Sequence, residues 1–440
     1  MMKCIPRLLA AAMLCGSAAG AQTVADTAAT PISLSEAVRL AQRNSPATVI
    51  ARGAIQTSEA AVKQSYAAFL PSVSLSAGTS NQRGDRFDTQ GNLVPFTGQP
   101  TNYSTGLNGN LQLFDGGRRY FDLNRSRADV DAAEAGETVQ RYQVALSVKQ
   151  QYYNILAARE SESAALAQIQ QATQQLRAAS IRLRAGAATL SDSLRSVILL
   201  GNARLSLLNA QNNLSLANAT LTRLVASPRP ITANPSDTLD QRIVIPDIAQ
   251  LEGHIAQAPA VLQADAQLAA ARAGVRSAKS SFLPTVNMNF SRGGSGLDPR
   301  FGLGDKRYAY NQNINASLSF PLFNNLNREL TVARAGVAED NAAVSLRDAR
   351  FFARQTLVQS LGQMNTARQQ VDIQTASVAA ALEDLRVQQR RYELGATTLL
   401  DLLTSQTQLD QARTSLIRAR YDYRVAKAQL EALIGRDLQE

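Results

Sequence analysis

The chain has 440 residues, a formal net charge of +10, one histidine and two cysteines, and both cysteines, Cys4 and Cys15, fall in the first 21 residues. Once that segment is removed no thiol remains for a disulfide, a thiolate metal site or a cysteine nucleophile, and one histidine without a nucleophile–base motif argues against an enzyme; no cofactor and no metal site is expected. The basic residues are dispersed among acids and amides, with no long Lys/Arg block, which reads as a solvated surface and not as a nucleic-acid interface.

Residues 1–21 have the layout of a secretory signal peptide. Lys3 and Arg7 precede an apolar run from Leu8 to Leu14, and Ala19-Gly20-Ala21 supplies the small residues before a cut at Gln22. Lipid attachment at Cys15 is disfavoured, because Leu14 stands where a lipoprotein signal has a small residue. Beyond the signal no apolar run reaches 18 residues, so entry into a membrane would require strands.

The remainder repeats itself. Asn44-Ser45-Pro46 corresponds to Gln257-Ala258-Pro259, and Phe69-Leu70-Pro71 to Phe282-Leu283-Pro284, each 213 residues on. Leu113-Phe114-Asp115 corresponds to Leu322-Phe323-Asn324 at an offset of 209. RLRAGAATLSDSL, 182–194, returns at the same offset as RYELGATTLLDLL, 391–403. The spacing predicts a first repeat over 22–226 and a second over 247–440. Proline-rich 227–246 is read as an irregular connector outside the main bundle, in an equatorial position.

Within the first repeat the order is a helix over about 33–68, a β-hairpin over 72–114, a long helix over 117–184 and a helix over 191–226. The second has a helix over about 247–281, a hairpin over 285–322, a long helix over 327–393 and a helix over 398–436. The hairpins rest on period two: Val73, Leu75 and Ala77 alternate with serines, as Val286, Met288 and Phe290 do with Asn and Ser. The Gly/Asn-rich stretches 78–103 and 291–313 read as their loops. The helices rest on Val144, Val148, Tyr152 and Ile155, and on Leu357, Leu361, Met364 and Val371, one helical face each. A helix over 117–184 would be about 100 Å long.

The duplicated motif reads first as a turn between helices. Gly186 and Gly395 stop one helix in the left-handed conformation. Thr189 and Thr398 cap the next, with Asp192 and Asp401 at the third position of a capping-box arrangement. Arg182, Arg184, Arg390 and Arg391 complement the preceding helix dipole or, alternatively, serve docking. The sharper reading of the two aspartates is an acidic ring at a narrow mouth, which would favour cations. Phe282, Phe290, Phe320 and Tyr308 fit an aromatic girdle or ordinary packing, and His254 reads as a lone surface side chain near a helix start.

Four strands cannot stand alone in hydrocarbon, because open edges leave backbone groups unpaired. Two chains would give eight strands with a filled interior; three give twelve and room for a lumen, and three is preferred. The fold class expected is therefore mainly α, with long antiparallel helical hairpins or coiled coils and a transmembrane β-barrel closed by a trimer.

With Phe-Leu-Pro before each first strand, Leu-Phe-Asp-Gly-Gly after the second, and Gly-x-x-Thr-Leu-x-Asp in both halves, the chain resembles the TolC-like outer membrane efflux protein family over about 33–436. The resemblance implies a homotrimer in outer-membrane lipid, with an α-helical tunnel crossing the periplasm. It also implies a periplasmic adaptor and an inner-membrane RND or ABC transporter as partners. By position, Asp192, Tyr392 and Asp401 fall where relatives place gate or constriction residues, and Gly186, Thr189, Gly395, Thr398, Arg182 and Arg391 where adaptors engage. Thr397 stands where some members have a gating Arg, and Thr404 where some have a further acid, so an Arg-locked gate is not expected. The function implied is an export duct of a tripartite system, with a type I protein-secretion duct as the variant on the same architecture. The rival of a different class is a non-conducting periplasmic coiled-coil scaffold.

Overall fold

The computed structural model describes residues 29–80, 84–95, 102–186, 188–239, 248–296 and 308–438. The expected signal peptide lies outside them. Eight helices and eight strands are present among the described residues. A short strand β1 (Thr30–Ile32) leads into α1 (Leu34–Asn44) and α2 (Pro46–Ala67). Strands β2 (Ser72–Ser80) and β5 (Asn102–Phe114) flank a small excursion, β3 (Asp85–Phe87) with β4 (Leu93–Pro95). The long helix α3 (Arg118–Arg184), the return helix α4 (Leu190–Val225) and strand β6 (Ile231–Ala233) follow. The second half runs α5 (Ile248–Ile255), α6 (Pro259–Lys279), β7 (Thr285–Gly296), β8 (Tyr308–Ser319), α7 (Asn327–Glu393) and α8 (Leu399–Ile434).

Both helices expected ahead of the hairpins are broken in two. Pro46 and Pro259 each occupy the first turn of a new helix, and the residue before each is extended, ψ 135° at Ser45 and 136° at Ala258. Proline has no amide to donate and disfavours helical backbone in its predecessor, so a continuous helix is not available there. His254 consequently sits in the last turn of α5 and not near a helix start.

The two hairpins join in one antiparallel sheet of order β2-β5-β7-β8. The central pairing, Tyr103↔Gly296 through Phe114↔Val286, ties the halves together and carries one register shift between Gln112 and Phe114. The second hairpin is longer than composition suggested, because Ser291–Gly296 continues β7. Gly293 and Gly294 lie opposite Asn311 and Tyr310, so the run stays paired in spite of its glycines. Strands β2 and β8 are the sheet's two outer members.

The helical cores repeat on either side. Val144, Val148, Tyr152 and Ile155 bury against Ala217, Leu221 and Val225 of α4. Leu357, Leu361 and Met364 bury against Tyr423, Ala426 and Leu430 of α8. The connector is not outside this bundle. Its strand β6 pairs in parallel with β1, and Ile231, Ala233 and Leu239 are buried in the first-half core. Tyr152 explains the docking: its hydroxyl accepts from the Asn234 amide and offers its one proton to Asp237 and the Ile32 carbonyl, which share it. Arg159 donates to the Ala233 and Asn234 carbonyls at 2.8 and 3.2 Å. Buried backbone groups need partners, and these two side chains supply them to an otherwise irregular segment.

Candidate functional site: the paired helical turns

The sheet adjoins one end of α3 and α7, and the two repeated turns lie at the other. Each helix has 67 residues, about 100 Å at 1.5 Å per residue. At the far end α3 stops at Gly186, φ 71°, and α7 at Gly395, φ 74°, a conformation that costs glycine nothing. The second stop is completed by the Ala396 amide donating to the Arg391 carbonyl at 2.8 Å.

Both return helices start on a capping box. The Asp192 amide donates to Thr189 Oγ1 at 3.2 Å, while Asp192 Oδ2 accepts from the Thr189 amide and hydroxyl at 3.2 and 2.8 Å. The second copy repeats this at 3.2, 3.1 and 2.6 Å between Asp401 and Thr398. It then adds a bond: Thr397 Oγ1 donates to Asp401 Oδ2 at 2.9 Å. The Thr398 hydroxyl, then its amide and the Thr397 hydroxyl, hold the Asp401 carboxyl below the ordinary carboxylate value. Asp401 is exposed and Asp192 half-buried.

The two turns are brought together by a contact that spacing alone did not suggest. The Arg182 guanidinium lies over the Tyr392 ring, 4.6 Å from its centroid. Tyr392 is half-buried against Leu385, Leu399 and Leu402 of the second turn. The last turn of α3 is thereby attached to the last turn of α7. Further along, Gln168 donates to Asp410 at 2.8 Å and Gln406 to Gln175 at 3.1 Å, both between α3 and α8. Arg391 is exposed, and its charge is among the lesser influences on Asp401. Thr404 turns its hydroxyl to the Leu400 carbonyl at 2.9 Å, within its own helix.

Along the shaft, apolar side chains remain uncovered. On α7, Leu330, Val337, Val344, Phe351 and Val358 recur every seven residues and are all exposed. On α4, Leu194, Val197, Leu205 and Leu208 are also exposed. A repeat of seven is the signature of a helix seam that expects another helix.

The model of the family described as outer membrane efflux protein matches residues 37–227 and 252–436, one block per half. Protein CyaE of Bordetella pertussis is 28% identical over 87% of this chain and 79% of its own length. The cation efflux system protein CusC of Escherichia coli K12 is 24% identical over 78% of this chain and 75% of its own. A crystal structure of CusC superposes with a TM-score of 0.78 at 18% identity, covering 93% of this chain and 94% of that one. Duplicated helical hairpins, a four-stranded sheet at one end and a family match across both halves lead to one conclusion: the chain belongs to the outer membrane efflux protein family.

Proposed function

We propose that three copies of this chain form an export duct, a twelve-strand barrel in the outer membrane continued by a helical tunnel through the periplasm. The observation that carries the reading is a sheet with two outer strands on helices whose exposed seams call for further helices. Closure by copies of itself satisfies both needs, since a barrel has no edge and a seam buries its apolar stripe. No reaction is involved. Substrate arrives from an inner-membrane RND or ABC transporter through a periplasmic adaptor, which engages the tip at Gly186, Thr189, Gly395, Thr398, Arg182 and Arg391. The cargo class follows the pump.

The tip is the gate in this reading, and Asp192, Tyr392 and Asp401 form its constriction. Arg182 against Tyr392 and Thr397 on Asp401 take the place of an arginine lock. In a trimer the two aspartates of each chain make a ring of carboxylates, which favours cations. The test is a planar bilayer. The purified protein is expected to give stepwise conductance with cation preference, reduced in Asp192→Asn/Asp401→Asn. A scaffold would give no conductance at all, and an unchanged preference in the double variant would remove the ring.

A further inference from the structure

The two junctions between sheet and long helix share one frame and differ at the carboxylate position. In the first half Arg119 lies over Phe69 at 4.9 Å and donates to the Leu113 carbonyl at 3.4 Å. Its Nε donates to Asp115 Oδ2 at 2.9 Å, and the same buried carboxylate accepts from the Gly117 and Arg119 amides at 3.1 and 3.0 Å. The second half repeats the frame: Arg328 lies over Phe282 at 4.9 Å and donates to the Leu322 carbonyl at 3.4 Å. Asn324, however, stands where Asp115 stood. Arg328 Nε and Asn324 Oδ1 are buried without a hydrogen-bond partner.

Both residues line a groove of about 690 Å³ between α3, α6 and α7. Its other cations are Arg118 and Arg125; its acids, Asp122 and Asp129, face them at 3.5 and 3.9 Å, and Asp122 also accepts from the Ser277 hydroxyl. Both carboxylates are thus engaged away from Arg328. We propose that this groove seats the phosphate of a phospholipid headgroup, whose oxygen does for Arg328 what Asp115 does for Arg119.

The surroundings favour a lipid as the source of that phosphate. Tyr66, Phe69, Tyr120 and Phe323 are exposed at this end of the molecule. The first ten residues of α3 hold Arg118, Arg119, Arg125 and Arg127 against Asp122 alone. The last ten of α6 hold Arg272, Arg276 and Lys279 and no acid. Aromatic side chains beside a collar of cations fit a membrane–water boundary that carries phosphates. The inference rests on the sheet lying in the outer membrane.

The experiment titrates the full-length protein, held in a phosphate-free detergent, with dioctanoyl phosphatidylglycerol, dioctanoylglycerol and inorganic phosphate, read by native mass spectrometry. Two variants are compared: Asn324→Asp, which restores the first-half carboxylate with no change of size, and Arg118→Gln/Arg125→Gln. Phosphatidylglycerol is expected to bind the wild type in preference to both other probes, and each variant about tenfold less tightly, the factor expected from losing one charge-assisted hydrogen bond. Equal binding by the wild type and Asn324→Asp overturns the proposal. So does equal binding of dioctanoylglycerol, which would need no phosphate, or of inorganic phosphate, which would need no lipid. Bilayer conductance of the same preparations reports separately on the duct: a conducting protein with unaltered lipid binding fails only the groove, and a non-conducting wild type fails the duct.

Discussion

Asp401 caps the first turn of α8 and, in the proposed duct, is also a charge at its mouth. Its folded value lies below 3.8, chiefly through the Thr398 hydroxyl, so its support of the turn is complete above the ordinary carboxylate value and lost as pH falls through the lowered one. Amide exchange in the first turn of α8 should therefore be slower in the wild type than in Asp401→Asn at pH 6, with the difference shrinking as pH falls below the ordinary carboxylate value. Thr398→Ala removes the cap itself and should destabilise that turn by about 1 kcal/mol, visible in the same exchange measurement. Arg182→Ala should loosen the tip by about 0.5–1 kcal/mol, a two- to fivefold rise in open probability in bilayer recordings. The Thr-x-x-Asp spacing was enough to read both caps, because a capping box closes within four residues. The Arg182–Tyr392 stacking was not readable, because its partners are 210 residues apart and meet only after two long helices have packed. The Thr397 bond was hidden for another reason: its departure from the family pattern indicated what was missing and not what a hydroxyl would do instead.

Elements were legible where periodicity was long and obscure where a single residue decided. The two 67-residue helices follow from uninterrupted apolar faces, but the breaks at Pro46 and Pro259 depend on one pyrrolidine ring each. The docked connector depends on Tyr152, which reads simply as a member of a helix face, and on Arg159, which nothing in the sequence singles out. Gly116 is another single-residue determinant. Its φ is +69°, and a Cβ there would stand 2.6 Å from the Ser280 carbonyl and 2.7 Å from Leu283. Gly116→Ala should separate the two junctions and lower the yield of heat-resistant oligomer on unboiled gels. Lys149 ties the middle of α3 to the end of α8, with Nζ 2.7 Å from both Glu431 and Asp437. Burial pulls its value down, but the hydrogen bonds Nζ donates to Asp437 and Glu431, with their charges, outweigh this and leave it raised. Lys149→Met would remove the cation hydrogen-bonded to buried Glu431 and should cost about 3 kcal/mol, measured as a lower denaturant midpoint.

At the scale of the molecule, the duplication makes the fold both readable and incomplete. Each half brings a hairpin and a helix pair, and pairing β5 with β7 joins them in one sheet without closing it. The seven-residue stripe on α7 is the same kind of incompleteness in helices. If copies of the chain cover it, Val344→Glu/Phe351→Glu should shift the purified protein from trimer to monomer by light scattering while leaving the buried face of Leu357, Leu361 and Met364 intact. Alternation and landmark spacing exposed the repeat; neither could say which stripe faces the same chain and which faces outward, since the residue types are alike on both.

The short parallel pair β1–β6 has a consequence for how such a chain is made. Thr30 donates to the carbonyl of Pro230, 200 residues further on, and Ile32 is matched with Ala233. A polypeptide threaded across the inner membrane from its N-terminus presents Thr30–Ile32 long before the other strand arrives. During that interval the leading strand has unpaired edges and the upper face of Tyr152 is uncovered. The β1–β6 pairing is thus a late event in folding, completed only after the whole first half has been made.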